Sequence, residues 1–164
     1  MADFKSLDED SWIEITHESL DQREVYDWLN IPTSGAVLVF SGNVRNHSEG
    51  REDVGSVSYE AHLGQVGPRL HAVEKHCRKD FVGIDRIALL HRLGTLQIGE
   101  SSVVVGISAA HRDVAYLASR WCIDTIKKSV PIWKYEHFLD GGEWGSNAHQ
   151  FVDLDSDDRG TFPS

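Results

Sequence analysis

Cysteine, methionine and proline are scarce in this 164-residue chain. The two cysteines, Cys77 and Cys122, stand far apart with no CxxC, which excludes a disulfide-stapled scaffold. Both are expected to be reduced and packed. No apolar run is long enough to span a bilayer. The opening "MADFKSLDEDSW" is acidic and lacks the basic-then-apolar order of a signal peptide, so the cytoplasm is the expected location. There is no GxGxxG after a strand, no GxxxxGK[ST], no HExxH and no GxSxG. No Cys/His cluster has zinc-site spacing, so no metal site and no cofactor are expected.

Positive charge is also in deficit, with a formal net charge of -10. The deficit is confined to the ends. Residues 1–30 hold nine Asp/Glu against Lys5 and Arg23, and residues 136–164 hold seven against Arg159. Residues 31–135 hold ten acids and thirteen Lys/Arg, a mildly basic body. Nucleic acid is a poor partner for such a chain, because it demands many phosphate contacts. A small anion in a local basic pocket is compatible with it.

What is present is a single-domain globule: 40% of residues are apolar and five are Trp, enough for a core. Strands are expected over 11–18, 35–46, 56–63, 84–94 and 101–110, and an extended piece over 131–138. Helices are expected over 19–30 (capped by Ser19), 65–79 and 112–128. The segment 47–55, "HSEGREDVG", reads as a mobile surface loop. The order of elements gives an α+β fold with a mixed or mostly antiparallel sheet. The domain should fill 1–145, with 146–164 as an acidic, flexible tail.

The third helix gathers the cations. Val114, Leu117, Ala118, Trp121, Cys122 and Thr125 form its expected core stripe. Arg120 and Asp124 read as a solvated i,i+4 pair. "SAAHR" puts His111 and Arg112 where a strand hands over to the helix, a place that favours anions. Lys127 and Lys128 close the helix, where cations are also merely stabilising. Pro131 then forces extension, and alternation sends Lys134 and Glu136 to one face, Trp133 and Tyr135 to the other. Arg45, at the end of a buried strand, can hold a phosphate bidentately; the plainer reading is a surface-loop arginine.

The stretches "GAVLVFSGNVRNHSEGR", "YEAH", "ALLHRLGTLQIGE", "VVVGISAAHR", "WCIDTIKKSVPIWKYE" and "GGEW" run in order from Gly35 to Trp144. In these the sequence resembles the large, catalytic subunit of molybdopterin synthase. The resemblance implies an α/β-hammerhead type of α+β fold. It implies sulfur transfer from the C-terminal thiocarboxylate of a small ubiquitin-like subunit, ending in Gly-Gly, to cyclic pyranopterin monophosphate, forming the molybdopterin dithiolene. It also implies a homodimer of large subunits at the centre of a heterotetramer.

Carried over by motif, the catalytic lysines fall on Lys127 and Lys134, and the substrate-binding residues on Arg45, His111, Arg112 and Phe40. The absence of a catalytic cysteine agrees, since the sulfur rides on the partner. Family members can complete the pocket with arginines from the neighbouring protomer. Here "GSNAHQ" after Trp144 contains no Arg, which leaves Arg78 and Lys79 as candidate cross-dimer contacts. Two other readings compete. One is a non-catalytic module that docks a ubiquitin-like partner on the same fold. The other is a phosphoesterase with His111 as base, for which the sequence supplies no second base or metal site.

Overall fold

The computed structural model describes residues 1–145 and 151–154. Nine strands and three helices occur among them: β1 Ala2–Leu7, β2 Ser11–Thr16, α1 Gln22–Leu29, β3 Ala36–Asn43, β4 Val54–Ala61, α2 Leu63–Asp80, β5 Ile84–Arg92, β6 Gly94–Gln97, β7 Ser101–Ala109, α3 Arg112–Ser129, β8 Ile132–Phe138 and β9 Gly141–Trp144. The fold is α+β, as the order of elements predicts. It has two sheets, however, where the sequence suggested one.

The larger sheet has the order β1-β2-β5-β7-β3, with β2 parallel to β5 and every other pair antiparallel. Period-two alternation splits its side chains between two cores. Ile13, Ile15, Ile87, Leu89, Val105 and Ile107 face α2 and α3. Trp12, Ala88, Leu90 and Val104 face α1 through Val25 and Leu29. Full burial of such an aliphatic side chain contributes about 1.5–3 kcal/mol, so the helices are held chiefly by these faces. Gly106 permits the close approach of α1: a Cβ there would lie 2.6 Å from Leu29 Cδ1.

The smaller sheet, β6-β4-β8-β9, is wholly antiparallel. The chain passes from β5 in one sheet to β6 in the other through Gly94, whose φ of +87° only glycine adopts without strain. That handover, "HRLGTLQ", was read as one strand and a connection; the glycine divides it.

Other local differences have physical causes. The first helix is capped by Asp21, not Ser19: the Asp21 carboxylate accepts from the N–H groups of Arg23 and Glu24. β1, in the acidic N-terminus, is paired along β2, where Lys5 Nζ lies 2.9 Å from Glu14 Oε2. Leu117 is 60% exposed, because the buried stripe of α3 runs through Ala115, Ala118, Cys122, Ile126 and Ser129. The expected loop at 47–55 is organised. Ser48 and Arg51 exchange backbone hydrogen bonds, and the Val54 N–H donates to the Asn46 carbonyl.

Of the expected tail, 146–150 and 155–164 lie outside the described residues. Residues 151–154 pack against the body: the Val152 N–H donates to the Lys128 carbonyl, Phe151 meets Trp133 edge-on, and Leu154 abuts the main core.

Candidate functional site

A cavity of about 420 Å³ opens where the end of the larger sheet, the smaller sheet and the C-terminal turns of α3 meet. That volume lies in the range of small-ligand sites. Phe40 and Arg45 reach it from the end of β3 and the residues beyond, Lys127 from α3 and Lys134 from β8. Four residues singled out from the sequence therefore converge on one cavity.

Each is placed by its own element. The backbone before Arg45 is pinned by two hydrogen bonds, from Val44 N–H to the Glu100 carbonyl and from Gly99 N–H to the Val44 carbonyl. The loop after it is anchored by Arg51. The Arg51 guanidinium bonds Asp53 and Asp140 and stacks 3.8 Å over the Phe138 ring. Its hydrogen bond also holds the Asp53 carboxyl below the ordinary range. Lys127 follows Ile123 and Ile126 onto the cavity side of α3, whereas its neighbour Lys128 does not line the cavity. Lys134 pairs with Tyr59 across β4 and β8, and the predicted alternation holds: Lys134 and Glu136 line the cavity, Trp133 and Tyr135 do not.

The charges in the cavity are unequal. Lys134 Nζ sits 2.8 Å from Glu136 Oε1, and that carboxylate is only 12% exposed. Arg45 and Lys127 have no acidic partner among the described residues. Two uncompensated cations beside one compensated cation give a pocket with affinity for an anion, in a protein that is acidic as a whole.

Sequence reasoning passed over three cavity residues. Glu136 was noticed only as an alternation partner. Tyr59 opens the stretch "YEAH" but was given no role of its own. His91 was set aside as one histidine among nine, though its place inside the apolar "IALLHR" was a signal. Its Nδ1 is 2.8 Å from the Arg92 carbonyl, and Tyr59 lies edge-on at 5.1 Å. Burial pushes the imidazole pKa down to about 4 despite that bond, so the ring is neutral and Nδ1 is the donor.

The remaining candidates lie elsewhere within one chain. His111 is the N-cap of α3 and Arg112 its first residue, both exposed. Fifteen residues of helix separate Arg112 from Lys127, about 22 Å at 1.5 Å per residue. Within one chain Arg112 and Lys127 therefore stand at opposite ends of α3. Arg78 is anchored in its own fold, donating to Glu74 and to the carbonyls of Asp85 and Asp10. Lys79 is exposed near the end of α2 and is no part of the cavity. No metal-binding cluster of His, Cys, Asp and Glu occurs among the described residues, and no helix there is long and apolar enough to cross a membrane.

The profile of the family described as MoaE protein matches residues 15–129. The chain is 41% identical over 130 residues to the molybdopterin synthase catalytic subunit 1 of Mycobacterium tuberculosis, covering 79% of this chain and 87% of the relative. It is 34% identical over 139 residues to the molybdopterin synthase catalytic subunit of Homo sapiens, covering 85% and 73% respectively. Among solved structures, the molybdopterin synthase from Staphylococcus aureus superposes with a TM-score of 0.76 at 30% identity, over 86% of this chain and 99% of that one.

Proposed function

Because the chain belongs to the MoaE protein family, we propose that it is the catalytic subunit of a molybdopterin synthase, a sulfurtransferase acting on cyclic pyranopterin monophosphate. The observation that carries the reading is the convergence of Arg45, Lys127 and Lys134 with Phe40 on one cavity. A cyclic phosphate needs local cations, and a flat pterin needs an aromatic or apolar wall beside them.

The roles divide by geometry. Arg45 binds the phosphate, since its guanidinium can donate two parallel bonds and no acid among the described residues competes for it. Lys127 stands at the reacting carbons as the free cation, stabilising negative charge that develops when sulfur attacks. Lys134, oriented by Glu136, binds beside it. The sulfur comes from outside. A small ubiquitin-like subunit brings a C-terminal thiocarboxylate after Gly-Gly, and a chain without side chains is thin enough to enter a narrow cavity. A dithiolene holds two sulfurs, so two such tails are consumed. Each gives up its sulfur and returns as a carboxylate, the oxygen supplied by water.

His111 and Arg112 fit the same reading only if two copies associate. About 22 Å from their own Lys127, they serve the pocket of a neighbouring copy in a homodimer. That supports a heterotetramer of two large and two small subunits. The reading as a non-catalytic docking module finds less support, because such a module has no use for two unpaired cations around a cavity.

The decisive experiment mixes the protein with a thiocarboxylated small subunit and the cyclic pterin, then assays for dithiolene. Product that depends on all three components is expected. Tight binding of the small subunit without product would favour the docking module and overturn the enzymatic reading.

A further inference from the structure

One buried polar group of the cavity has no part in the chemistry assigned above. His91, on β5 in the middle of the larger sheet, is only 7% exposed, yet it lines the cavity. Its Nδ1 donates to the Arg92 carbonyl at 2.8 Å, which leaves Nε2 with a lone pair turned away from that carbonyl. No protein donor meets Nε2 among the described residues. An acceptor that no protein group meets, on a residue that lines the cavity, is open to a donor from a bound molecule.

The three cations of the cavity are of the opposite kind. Arg45, Lys127 and Lys134 can only donate. Of the acceptors, Glu136 holds Lys134, and Asn43 Oδ1 accepts from Ser41. Cations and donors satisfy a phosphate. They do not satisfy a heterocycle that carries ring N–H and amino groups, which needs an acceptor near the floor of the site.

We propose that His91 Nε2 is that acceptor: it receives an N–H donor from the edge of the bicyclic substrate ring and orients the ring while Arg45 binds the phosphate. The inference rests on the pterin reading of the site and names the residue that selects for the ring. The neutral state of the buried imidazole suits it, because a protonated ring would be a second donor and would reject the same edge. Tyr59, edge-on to His91, fixes the plane of the imidazole.

The test uses His91→Asn and His91→Gln in the enzyme assembled with its thiocarboxylated small subunit. The Asn amide reaches the place of Nδ1, so it keeps the bond to the Arg92 carbonyl and withdraws the acceptor. The Gln amide reaches the place of Nε2. His91→Asn should weaken pterin binding and raise KM by roughly ten- to a hundred-fold, the effect of stranding one buried donor. Binding of inorganic phosphate, which reports on Arg45 and Lys127, should change by less than about two-fold. His91→Gln should recover most of the pterin affinity at the same melting temperature as His91→Asn. Normal pterin binding by His91→Asn would overturn the proposal. So would equal loss of pterin and phosphate, or a Gln variant as defective as the Asn one. If the wild-type enzyme itself neither bound nor converted the pterin, the functional reading would fall and this inference with it.

Discussion

Lys134 and Glu136, two residues apart on β8, form a 2.8 Å ion pair inside the cavity, while Lys127, which lines the same cavity, has no acidic partner among the described residues. The same strand supplies the cation and the group that orients it, because alternation puts both on one face. The asymmetry separates the two lysines by role.

Lys127→Ala should therefore nearly abolish product formation while leaving the fold intact. The side chain lies on an exposed part of α3 and makes no ion pair among the described residues, so truncation should shift stability by no more than about 0.5 kcal/mol. Loss of a charge aimed at the transition state typically costs roughly 100-fold or more in kcat. Steady-state rates measured beside a melting curve check both halves. Activity within a few-fold of wild type would remove Lys127 from the centre of the mechanism.

Glu136→Gln should act more mildly and through Lys134. The amide can still accept one hydrogen bond but no longer pairs charge with charge, so the lysine loses its fixed position. A drop in kcat of about ten-fold is expected, with a smaller change in the binding of the small subunit. If Lys134→Ala and Glu136→Gln were fully additive in the double variant, the two would not be acting as a unit.

Much of this was legible in the sequence. The alternation after Pro131, the cluster "KKSVPIWK" and the arginine at the end of a buried strand are local signals, and all three led to cavity residues. The distance between Arg112 and Lys127 was legible too, since the expected helix over 112–128 already gives it. His91 was missed because a histidine inside an apolar strand looks like core from sequence; only the cavity beside it shows that one nitrogen is unpartnered. The second sheet was missed because β6 and β9 are four residues each, too short for a pattern. Arg51 was read as part of a loose loop, and its acidic partner Asp140 is distant in sequence.

The separation of Arg112 from Lys127 can be tested by mixing. Arg112→Ala and Lys127→Ala chains should each be inactive as homodimers. In a mixed dimer, the chain with Arg112→Ala keeps its own Lys127 and receives His111 and Arg112 from its neighbour. One intact pocket per mixed dimer results. Random exchange of subunits should restore roughly a quarter of wild-type activity. No recovery after verified exchange would place both residues in one chain's own site, against the geometry.

His91 also sets a pH dependence. Its ordinary pKa is 6.5, and in the folded protein burial lowers it to about 4. Between those values the unfolded chain binds a proton that the folded chain does not, so stability rises with pH across that window. The contribution is complete above pH ~6.5 and is lost as pH falls toward ~4, to an extent of about 3 kcal/mol. Urea titrations at several pH values should show this loss in wild type and a smaller one in His91→Gln. Equal slopes in the two proteins would mean that His91 is not the buried neutral group.

The last prediction concerns the thiocarboxylate and Lys127. A tail that delivers sulfur to the substrate must bring its terminal carbon close to the cavity cations. With no pterin bound, the amine of Lys127 is the cavity amine that Glu136 does not hold. Its nitrogen can attack the thiocarbonyl carbon; the carbon–sulfur bond breaks, hydrosulfide leaves, and an amide joins the small subunit to the lysine. Incubating the two subunits without pterin should thus give some covalent adduct. Lys127 and Lys128 project about 100° apart on the helix, and only Lys127 lines the cavity. Peptide mapping should place the linkage on Lys127 in preference to Lys128, and added pterin should suppress it by taking the sulfur first. A linkage on Lys128, or one spread over surface lysines and indifferent to pterin, would show that the tail does not enter this cavity.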